Sequence, residues 1–249
     1  MNADDRIDHL VGCLNETRLG KVLIELGILQ DIQINLISNM DTAGYYSYSI
    51  MNGYQIDLNA DCDDYTLFAA LAHELRHAEQ WMSLEINSIY QLPIEDAIIL
   101  QRYMEADASA YSQAVLYERY EQTGDMKYLS ATAEYDESDI QRAFIKQIHG
   151  GQDYKDSPKP YQSAFKQWFK KQDRIDHYDA ALIEGKKAFN ENFLSLIFNK
   201  QSSLTKKMIS TLGVVGPDFN YLSGKSRLNL GHSTYTQLPQ HTIKAMKNV

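Results

Sequence analysis

The sequence has few cysteines, no long apolar run and no excess of positive charge, and each absence excludes a class of protein. Its 249 residues include only two cysteines, Cys13 and Cys62, which form no CxxC pair, so we interpret both as reduced thiols in or near a core. No apolar run approaches the length of about 20 residues that a membrane span needs. The formal net charge of −9 argues against nucleic acid or an anionic membrane as a partner, because phosphate binding needs a positive surface.

The N-terminus and the composition indicate an ordinary globular chain. The first ten residues, MNADDRIDHL, lack the basic and then apolar layout of a secretory signal, so we predict that the protein is cytoplasmic at synthesis. Export without such a signal would leave no trace in the sequence. Hydrophobic residues make up 44% and charged residues 23% of the chain, which is typical of a protein with a real core.

Hydrophobic periodicity predicts an α+β fold that is mostly α, with a small antiparallel sheet packed on helices. Residues 15–27 have the pattern of an amphipathic helix that ends near Gly27. Residues 31–37 alternate like a half-buried strand. The Asn52-Gly53 pair between YYSYSI and YQIDLN is typical of a tight β-hairpin.

Two long helices are expected after the hairpin, and more helices after those. The first covers roughly residues 65–82, with Asp63 or Asp64 as its cap, and the second runs from near Pro93 to about Tyr120. Later helix candidates are 137–148, 159–171, 173–184 and 186–199, before a loop-rich end. We divide the chain into a core of residues 1–125 and a helical C-terminal region, 126–249, packed on it. The alternative is one continuous domain.

The stretch LAHELRHAEQ, residues 71–80, places two histidines four apart on the first long helix. Residues four apart lie on the same helix face, so His73 and His77 can direct their imidazoles at one ion. Zinc accepts imidazole nitrogen readily and prefers four tetrahedral ligands. Glu74 is rotated by about 100° from His73, so it would lie beside the metal and serve as a general base for water. This is the mechanics of the HExxH motif.

A catalytic zinc ion usually takes a third protein ligand. No third histidine follows six residues after His77, because that position is Ser83. The acidic candidates on the second long helix are Glu95, Asp96, Glu105 and Asp107. Glu95 and Asp96 fall in the first turn, where the helix dipole alone favours negative charge. We favour Glu105, because the alanines around it would let the two helices approach closely.

Asp107 is the main alternative to Glu105 as the third ligand. The two residues are about 200° apart around a helix, so only one of them can face the metal. As a non-ligand, Asp107 could accept a hydrogen bond from the other nitrogen of a ligand histidine and so fix its tautomer. Ser109 shares the face of Glu105 and could do the same. Arg76 is expected to pair with a nearby carboxylate.

HELRH with a downstream helical glutamate resembles the gluzincin class of zinc metallopeptidases. LAHELRHAEQ followed by EADASAYSQA is similar to uncharacterised bacterial proteins assigned as metallopeptidases, most specifically over residues 17–120. The resemblance implies one Zn²⁺ per chain, bound by His73, His77 and Glu105, with Glu74 as general base. It also implies that the strand YQIDLN is the edge strand above the cleft, where an extended peptide could add as a further strand.

The spacing departs from that of the best-known gluzincins. Between His77 and Glu105 lie 27 residues, which is a longer separation than theirs, so Glu95 stays open as an alternative third ligand.

The sequence therefore predicts a zinc-dependent metallopeptidase that acts on a peptide or protein substrate. Glu74 would take a proton from the attacking water and pass it to the leaving amine. A tyrosine or histidine would have to stabilise the oxyanion, and the candidates are Tyr111, His149, His177 and His232. The alternative function is a zinc-binding but catalytically silent scaffold whose C-terminal region contacts a protein partner. A third interpretation is hydrolysis of a non-peptide amide.

Overall fold

The chain begins with two helices where the sequence predicted one. The computed structural model describes residues 2–49, 51–84, 88–133, 137–191, 203–215, 219–223, 229–247 and 249. Helices α1 (Ala3–Asn15) and α2 (Arg18–Leu29) are separated by Thr17, whose side chain caps α2 by accepting a hydrogen bond from the Gly20 N–H. Gly27 was expected to end the helix but lies inside α2, where a β-carbon would be 3.1 Å from a methyl group of Leu75. Its small size serves the packing of α2 on a later helix.

Three strands form a mixed sheet. The strands are β1 (Gln33–Ile37), β2 (Gly44–Ser49) and β3 (Gly53–Asn59), in the order β1-β3-β2. The predicted hairpin is confirmed, because β2 pairs antiparallel with β3 and Gly53 has the positive φ of +71° that such a turn needs. The sheet as a whole is not antiparallel, because β1 pairs parallel with β3.

The expectation that YQIDLN is an edge strand is wrong. This segment is β3, which lies between β1 and β2 and has paired strands on both sides. The side chains of Ile56 and Leu58 are fully buried, as expected at the centre of a sheet. The hairpin strand that does lie at an edge of the sheet is β2, and it contacts the helix that carries the HELRH motif.

Two long helices cross the core. Helix α3 (Asp64–Leu84) is capped by Asp63, whose carboxylate accepts a hydrogen bond from the Thr66 N–H at 2.8 Å. Helix α4 (Ile94–Thr123) ends at Gly124, which has a φ of +71°. Every residue of α4 from 102 to 119 is buried, because α2, α3, α5, α6 and α7 pack around it. Charged residues in this part of α4 are therefore in the interior of the protein.

The C-terminal part is helical and packs on α4. Its elements are α5 (Ser138–His149), α6 (Lys159–Trp168), α7 (Gln172–Glu191), α8 (Lys206–Thr211), β4 (Val214–Val215), β5 (Phe219–Asn220), α9 (Ser233–Thr236) and α10 (Gln240–Met246). The two helices predicted at 173–184 and 186–199 form one helix, α7, up to residue 191, and residues 192–199 lie outside the described residues.

The fold class is confirmed as α+β and mostly α. Buried aromatic residues of α5 and α6, among them Phe144, Tyr161, Phe165 and Trp168, form the core between the C-terminal helices and α4. The division at residue 125 stays a prediction. In the part of the chain that the structure describes, no helix combines the length and the apolar composition that crossing a membrane requires.

Candidate metal centre

His73, His77 and Glu105 converge on one point. The Nε2 atoms of the two histidines, one turn apart on α3, are 3.0 Å from each other. Oε2 of Glu105, which α4 supplies, is 3.4 Å from each of these nitrogens. The three atoms form a small triangle that could hold a metal ion. The structure therefore brings together the three residues that the sequence singled out as candidate ligands.

Small residues allow this convergence. Ala72 and Ala78 on α3, and Ala106 and Ala108 on α4, are almost fully buried. Side chains of this size let two packed helix backbones come close, so a glutamate on α4 can reach the histidines on α3. The other oxygen of Glu105 accepts a hydrogen bond from the amide of Gln101 at 2.6 Å, which directs Oε2 toward the imidazoles.

The charge of Glu105 dominates the electrostatics of the triad. Burial lowers the pKa of His77, but the charge and hydrogen bond of Glu105 outweigh it, and the net pKa is raised to about 9. The pKa of His73 is raised in the same way, against the effect of burial. Burial alone would raise the pKa of Glu105, but His77 and His73 hold it well below its usual range. A cation that binds here must therefore displace protons from the histidines.

Gln80 selects which nitrogen of His77 faces the triad. Its amide NH₂ donates to the backbone oxygen of Met104 at 2.9 Å and to Oδ2 of Asp107 at 2.7 Å. Its carbonyl oxygen lies 2.8 Å from Nδ1 of His77. Because an amide oxygen only accepts, Nδ1 of His77 keeps its proton, and once Nε2 has lost its own proton the lone pair of Nε2 is directed at the triad. Sequence reasoning missed Gln80, although its position three residues after His77 was a usable signal.

Asp107 does not join the triad but holds a buried ion pair with Arg76. The Arg76 guanidinium donates to both oxygens of Asp107, at 2.9 and 3.1 Å, and to Glu79. This confirms that Arg76 pairs with carboxylates. The phenol of Tyr221 also donates to Asp107, at 2.5 Å. Asp107 therefore reaches His77 only through Gln80, and not directly as a histidine acceptor.

The remaining acidic candidates and Ser109 have other partners. Glu95 is exposed in the first turn of α4. Asp96 accepts a hydrogen bond from the Leu204 N–H at 2.8 Å. The hydroxyl of Ser109 donates to Glu137 at 2.6 Å, and not to a histidine of the triad.

Glu74 is buried against the edge strand. Its Oε2 accepts a hydrogen bond from the Tyr46 N–H of β2 at 3.0 Å. Gly44 of β2 leaves room for it, because a β-carbon there would lie 3.0 Å from Cγ of Glu74 and 3.2 Å from its Oε1. Burial raises the pKa of Glu74, against the opposing charges of His73 and His77. A carboxylate with a raised pKa beside a candidate metal site is suited to accept a proton.

The four residues considered for oxyanion stabilisation occupy other places. Tyr111 donates to the backbone oxygen of Leu19 at 3.2 Å and lies under the Arg76 guanidinium. His149, His177 and His232 are exposed.

Tyr178, next to one of these candidates on α7, senses the charges around the triad. Burial raises the pKa of its phenol well above the usual range, and the negative charges of Glu105, Glu137 and Glu74 raise it further. Its ring packs at 5.6 Å, centroid to centroid, from the buried ring of Trp168. Neither spacing nor periodicity connects Tyr178 with a motif about 100 residues earlier, so the sequence offered no signal for it.

A helix that carries His-Glu-x-x-His and meets a glutamate from a neighbouring helix is an arrangement typical of metal-dependent peptidases. Residues 2–222 match the family model described as "Putative metallopeptidase family (DUF6782)", and the chain belongs to this family. The match extends well beyond residues 17–120 and includes Tyr178 and Tyr221. No curated protein and no solved structure matches the chain.

Proposed function

We propose that the protein is a zinc-dependent metallopeptidase that hydrolyses peptide bonds in a peptide or protein substrate. The observation that carries the proposal is the convergence of His73, His77 and Glu105, with Gln80 fixing the tautomer of one histidine. Two imidazole nitrogens and one carboxylate oxygen are a donor set that catalytic zinc sites use, with a fourth position left for water or substrate. The residues present therefore fit one zinc ion per chain.

A zinc ion held there would supply Lewis acidity to a carbonyl oxygen and lower the pKa of a water molecule toward 7. Glu74 is the group we assign as general base. Its buried carboxylate accepts the proton of the attacking water and later delivers it to the leaving amine. The Tyr46 N–H fixes the direction of the Glu74 carboxylate, because it donates to Oε2.

The edge strand supports a peptide rather than a small amide as substrate. Along an antiparallel pair, every second residue of a strand hydrogen-bonds to the partner strand, and the residues between them direct their N–H and C=O groups to the other side. The Asn59 N–H donates to the Ala43 oxygen, so residues 44, 46 and 48 of β2 direct their backbone N–H and C=O groups away from β3. The Tyr46 carbonyl and the Tyr48 amide group are thus placed where an extended peptide can add as a strand beside Glu74. This surface takes the role that the sequence had assigned to YQIDLN.

The test is cleavage of a mixed peptide library by the zinc-loaded protein, analysed by mass spectrometry. The matched control is Glu74→Gln, which keeps the shape of the side chain and all three proposed ligands. We expect cleavage by the wild type and a loss of about 10²- to 10⁴-fold in kcat for the variant, with unchanged zinc content.

A catalytically silent scaffold predicts a different result. The zinc-loaded wild type would then cleave no peptide, and Glu74→Gln would change neither zinc content nor binding of a protein partner. Turnover of small amides without cleavage of any peptide would instead support a non-peptide amidase.

A further inference from the structure

Two buried contacts with a carboxylate join the C-terminal part of the chain to α4. In the first, Asp179 of α7 accepts hydrogen bonds from Arg102 at 2.8 and 2.5 Å, and both side chains are at most 3% exposed. In the second, the phenol of Tyr221 donates to Oδ1 of Asp107 at 2.5 Å. The second contact leads to the proposed zinc ligands, because Asp107 also binds Gln80.

Asp107 uses all of its accepting capacity. Its Oδ2 accepts from Nε of Arg76 at 2.9 Å and from the amide of Gln80 at 2.7 Å. Its Oδ1 accepts from Nη2 of Arg76 at 3.1 Å and from the phenol of Tyr221. A carboxylate has about four lone-pair sites, and this one is fully buried. Each donor that it loses therefore leaves a buried lone pair unpaired, so the four bonds together fix its position.

One side chain connects Asp107 with His77. The amide NH₂ of Gln80 donates to Oδ2 of Asp107, and the carbonyl oxygen of the same amide lies 2.8 Å from Nδ1 of His77. The amide also donates to the Met104 oxygen at 2.9 Å, which holds its plane. A shift of the Asp107 carboxylate therefore displaces the acceptor that orients the His77 ring.

Tyr221 directly follows the β4–β5 pair, two short antiparallel strands, and is anchored by it. Its backbone N–H donates to the Gly213 oxygen at 2.9 Å, and its carbonyl oxygen accepts from the amide of Gln162 at 3.0 Å. Its ring is fully buried and stacks on the ring of Tyr161, with the centroids 5.4 Å apart. The phenol therefore reaches Asp107 only while the β4–β5 pair lies against α6.

We propose that Tyr221 is a positioning residue for the proposed zinc site, so that docking of the β4–β5 pair on α6 and zinc binding favour each other. Tyr221 acts on His77 through Asp107 and Gln80, and not as a ligand or as a donor to the substrate. Coupling between two equilibria is reciprocal. The factor by which the docked pair raises zinc affinity is therefore also the factor by which zinc stabilises docking. This inference rests on the proposed zinc-dependent function and adds a distant segment of the chain as a regulator of the site.

A merely structural role predicts a different pattern. If Tyr221 only stabilises the fold, loss of its hydroxyl lowers the free energy of unfolding and leaves the zinc affinity of the folded protein unchanged. If it positions Asp107, the loss weakens zinc binding, and only while Gln80 is present to connect Asp107 with His77.

The first experiment measures zinc affinity by competition with a chromophoric chelator, in a double-mutant cycle of Tyr221→Phe and Gln80→Leu. Phenylalanine keeps the aromatic ring and removes only the hydroxyl. The matched control is Tyr154→Phe, because Tyr154 also donates its phenol to a carboxylate of α4, that of Glu121 at 2.9 Å. Glu121 lies in the last turn of α4, away from the site.

We expect Tyr221→Phe to lower zinc affinity about tenfold, the lower end of the range for outer partners of a ligand histidine, and Tyr154→Phe to match the wild type. In the Gln80→Leu background the Tyr221→Phe substitution should have no further effect, because the connection to His77 is already broken. Equal zinc affinities of Tyr221→Phe and Tyr154→Phe, or additive losses in the cycle, overturn the proposal.

The second experiment uses the wild type itself. Hydrogen exchange of the Tyr221 backbone N–H, which bonds to Gly213, is followed by NMR in the zinc-loaded and the chelator-treated protein. Reciprocity predicts exchange about tenfold slower with zinc bound, and little difference between the two states in Tyr221→Phe. An exchange rate that zinc does not change in the wild type contradicts the coupling.

Peptide cleavage by the same preparations separates this inference from the peptidase function. A wild type that shows the coupling but cleaves no peptide contradicts the peptidase function alone. A wild type that cleaves peptides, while Tyr221→Phe binds zinc as tightly as Tyr154→Phe, contradicts the coupling alone.

Discussion

Gln80 links the proposed zinc site to the interior of the protein. Its side chain accepts a hydrogen bond from His77 and donates one to Asp107, which is itself paired with Arg76. Outer partners of this kind orient a ligand histidine, and their removal typically costs 10- to 100-fold in metal affinity. The metal affinity of the proposed site would thus depend on a residue that is not itself a ligand.

We therefore expect Gln80→Leu to lower zinc affinity by about 10- to 100-fold, because Nδ1 of His77 loses its acceptor and the ring loses its fixed tautomer. Competition with a chromophoric chelator measures this affinity. The matched control is Gln167→Leu, which removes another amide that donates to a carboxylate, that of Asp139 at 2.8 Å, outside the site. Equal zinc affinities in the two variants would show that Gln80 does not orient His77.

Zinc binding should also depend on pH in a defined direction. In the chelator-treated protein the pKa of His77 is raised to about 9, so below pH 9 zinc must displace a proton from it. We expect the logarithm of zinc affinity to rise by at least about one per pH unit from pH 7 to 9, and more steeply where His73 is protonated as well, and to level off above pH 9. Calorimetry in two buffers of different ionisation enthalpy counts the protons released. No release at pH 7.5 would contradict the proton sharing between His77 and Glu105.

At the scale of elements, the approach of β2 to α3 places Glu74. Gly44 is the residue that permits it, because any β-carbon there would contact the Glu74 side chain. We expect Gly44→Ala to keep full zinc content but to lower kcat about tenfold or more, since a small displacement of a catalytic group is costly. Peptide cleavage and elemental analysis of the same preparation measure both effects.

Gly12→Ala is the control for this substitution. Gly12 lies in α1, and a β-carbon there would meet no atom within 4 Å. Alanine also has the higher helix propensity, so Gly12→Ala should leave cleavage unchanged and slightly raise stability. If Gly44→Ala is as active as Gly12→Ala, the strand does not position Glu74.

The elements themselves were largely predictable, because their signals are local. Asp63 before α3, the Asn52-Gly53 turn and Gly124 after α4 mark boundaries through the conformations that they favour. The order of strands was not predictable in this way. β3 lies at the centre of the sheet because β1 pairs with it, although β2 separates the two strands in the sequence. Such a pairing between distant segments leaves no local signal.

The candidate metal centre was likewise predictable where its signals are local and not predictable where they are not. The spacing within HELRH placed two histidines on one face, and the small residues around Glu105 indicated a close helix contact. Tyr178 and the Arg102–Asp179 pair come together only when α7 folds back on α4, and no sequence period encodes that distance.

At the scale of the whole molecule, the Arg102–Asp179 ion pair joins the two halves of the chain. Replacing one partner leaves a buried, unpaired charge, which costs about 3–5 kcal/mol in similar cases. We expect Arg102→Met to lower the free energy of unfolding by this amount, measured by urea denaturation of the chelator-treated protein.

The double variant Arg102→Met with Asp179→Leu separates the cost of an unpaired charge from loss of packing. It should recover most of the lost stability, because no charge is left buried without a partner. A double variant as unstable as the single one would contradict this account of how α7 is held on α4.

Elemental analysis of zinc per chain tests whether His73, His77 and Glu105 together bind one zinc ion. The wild type, Glu105→Ala and the matched control Glu95→Ala are purified without chelators. We expect about one zinc per chain in the wild type and in Glu95→Ala, and a sharp loss in Glu105→Ala. No zinc in a folded wild type after zinc is added, or full retention in Glu105→Ala, would contradict this expectation.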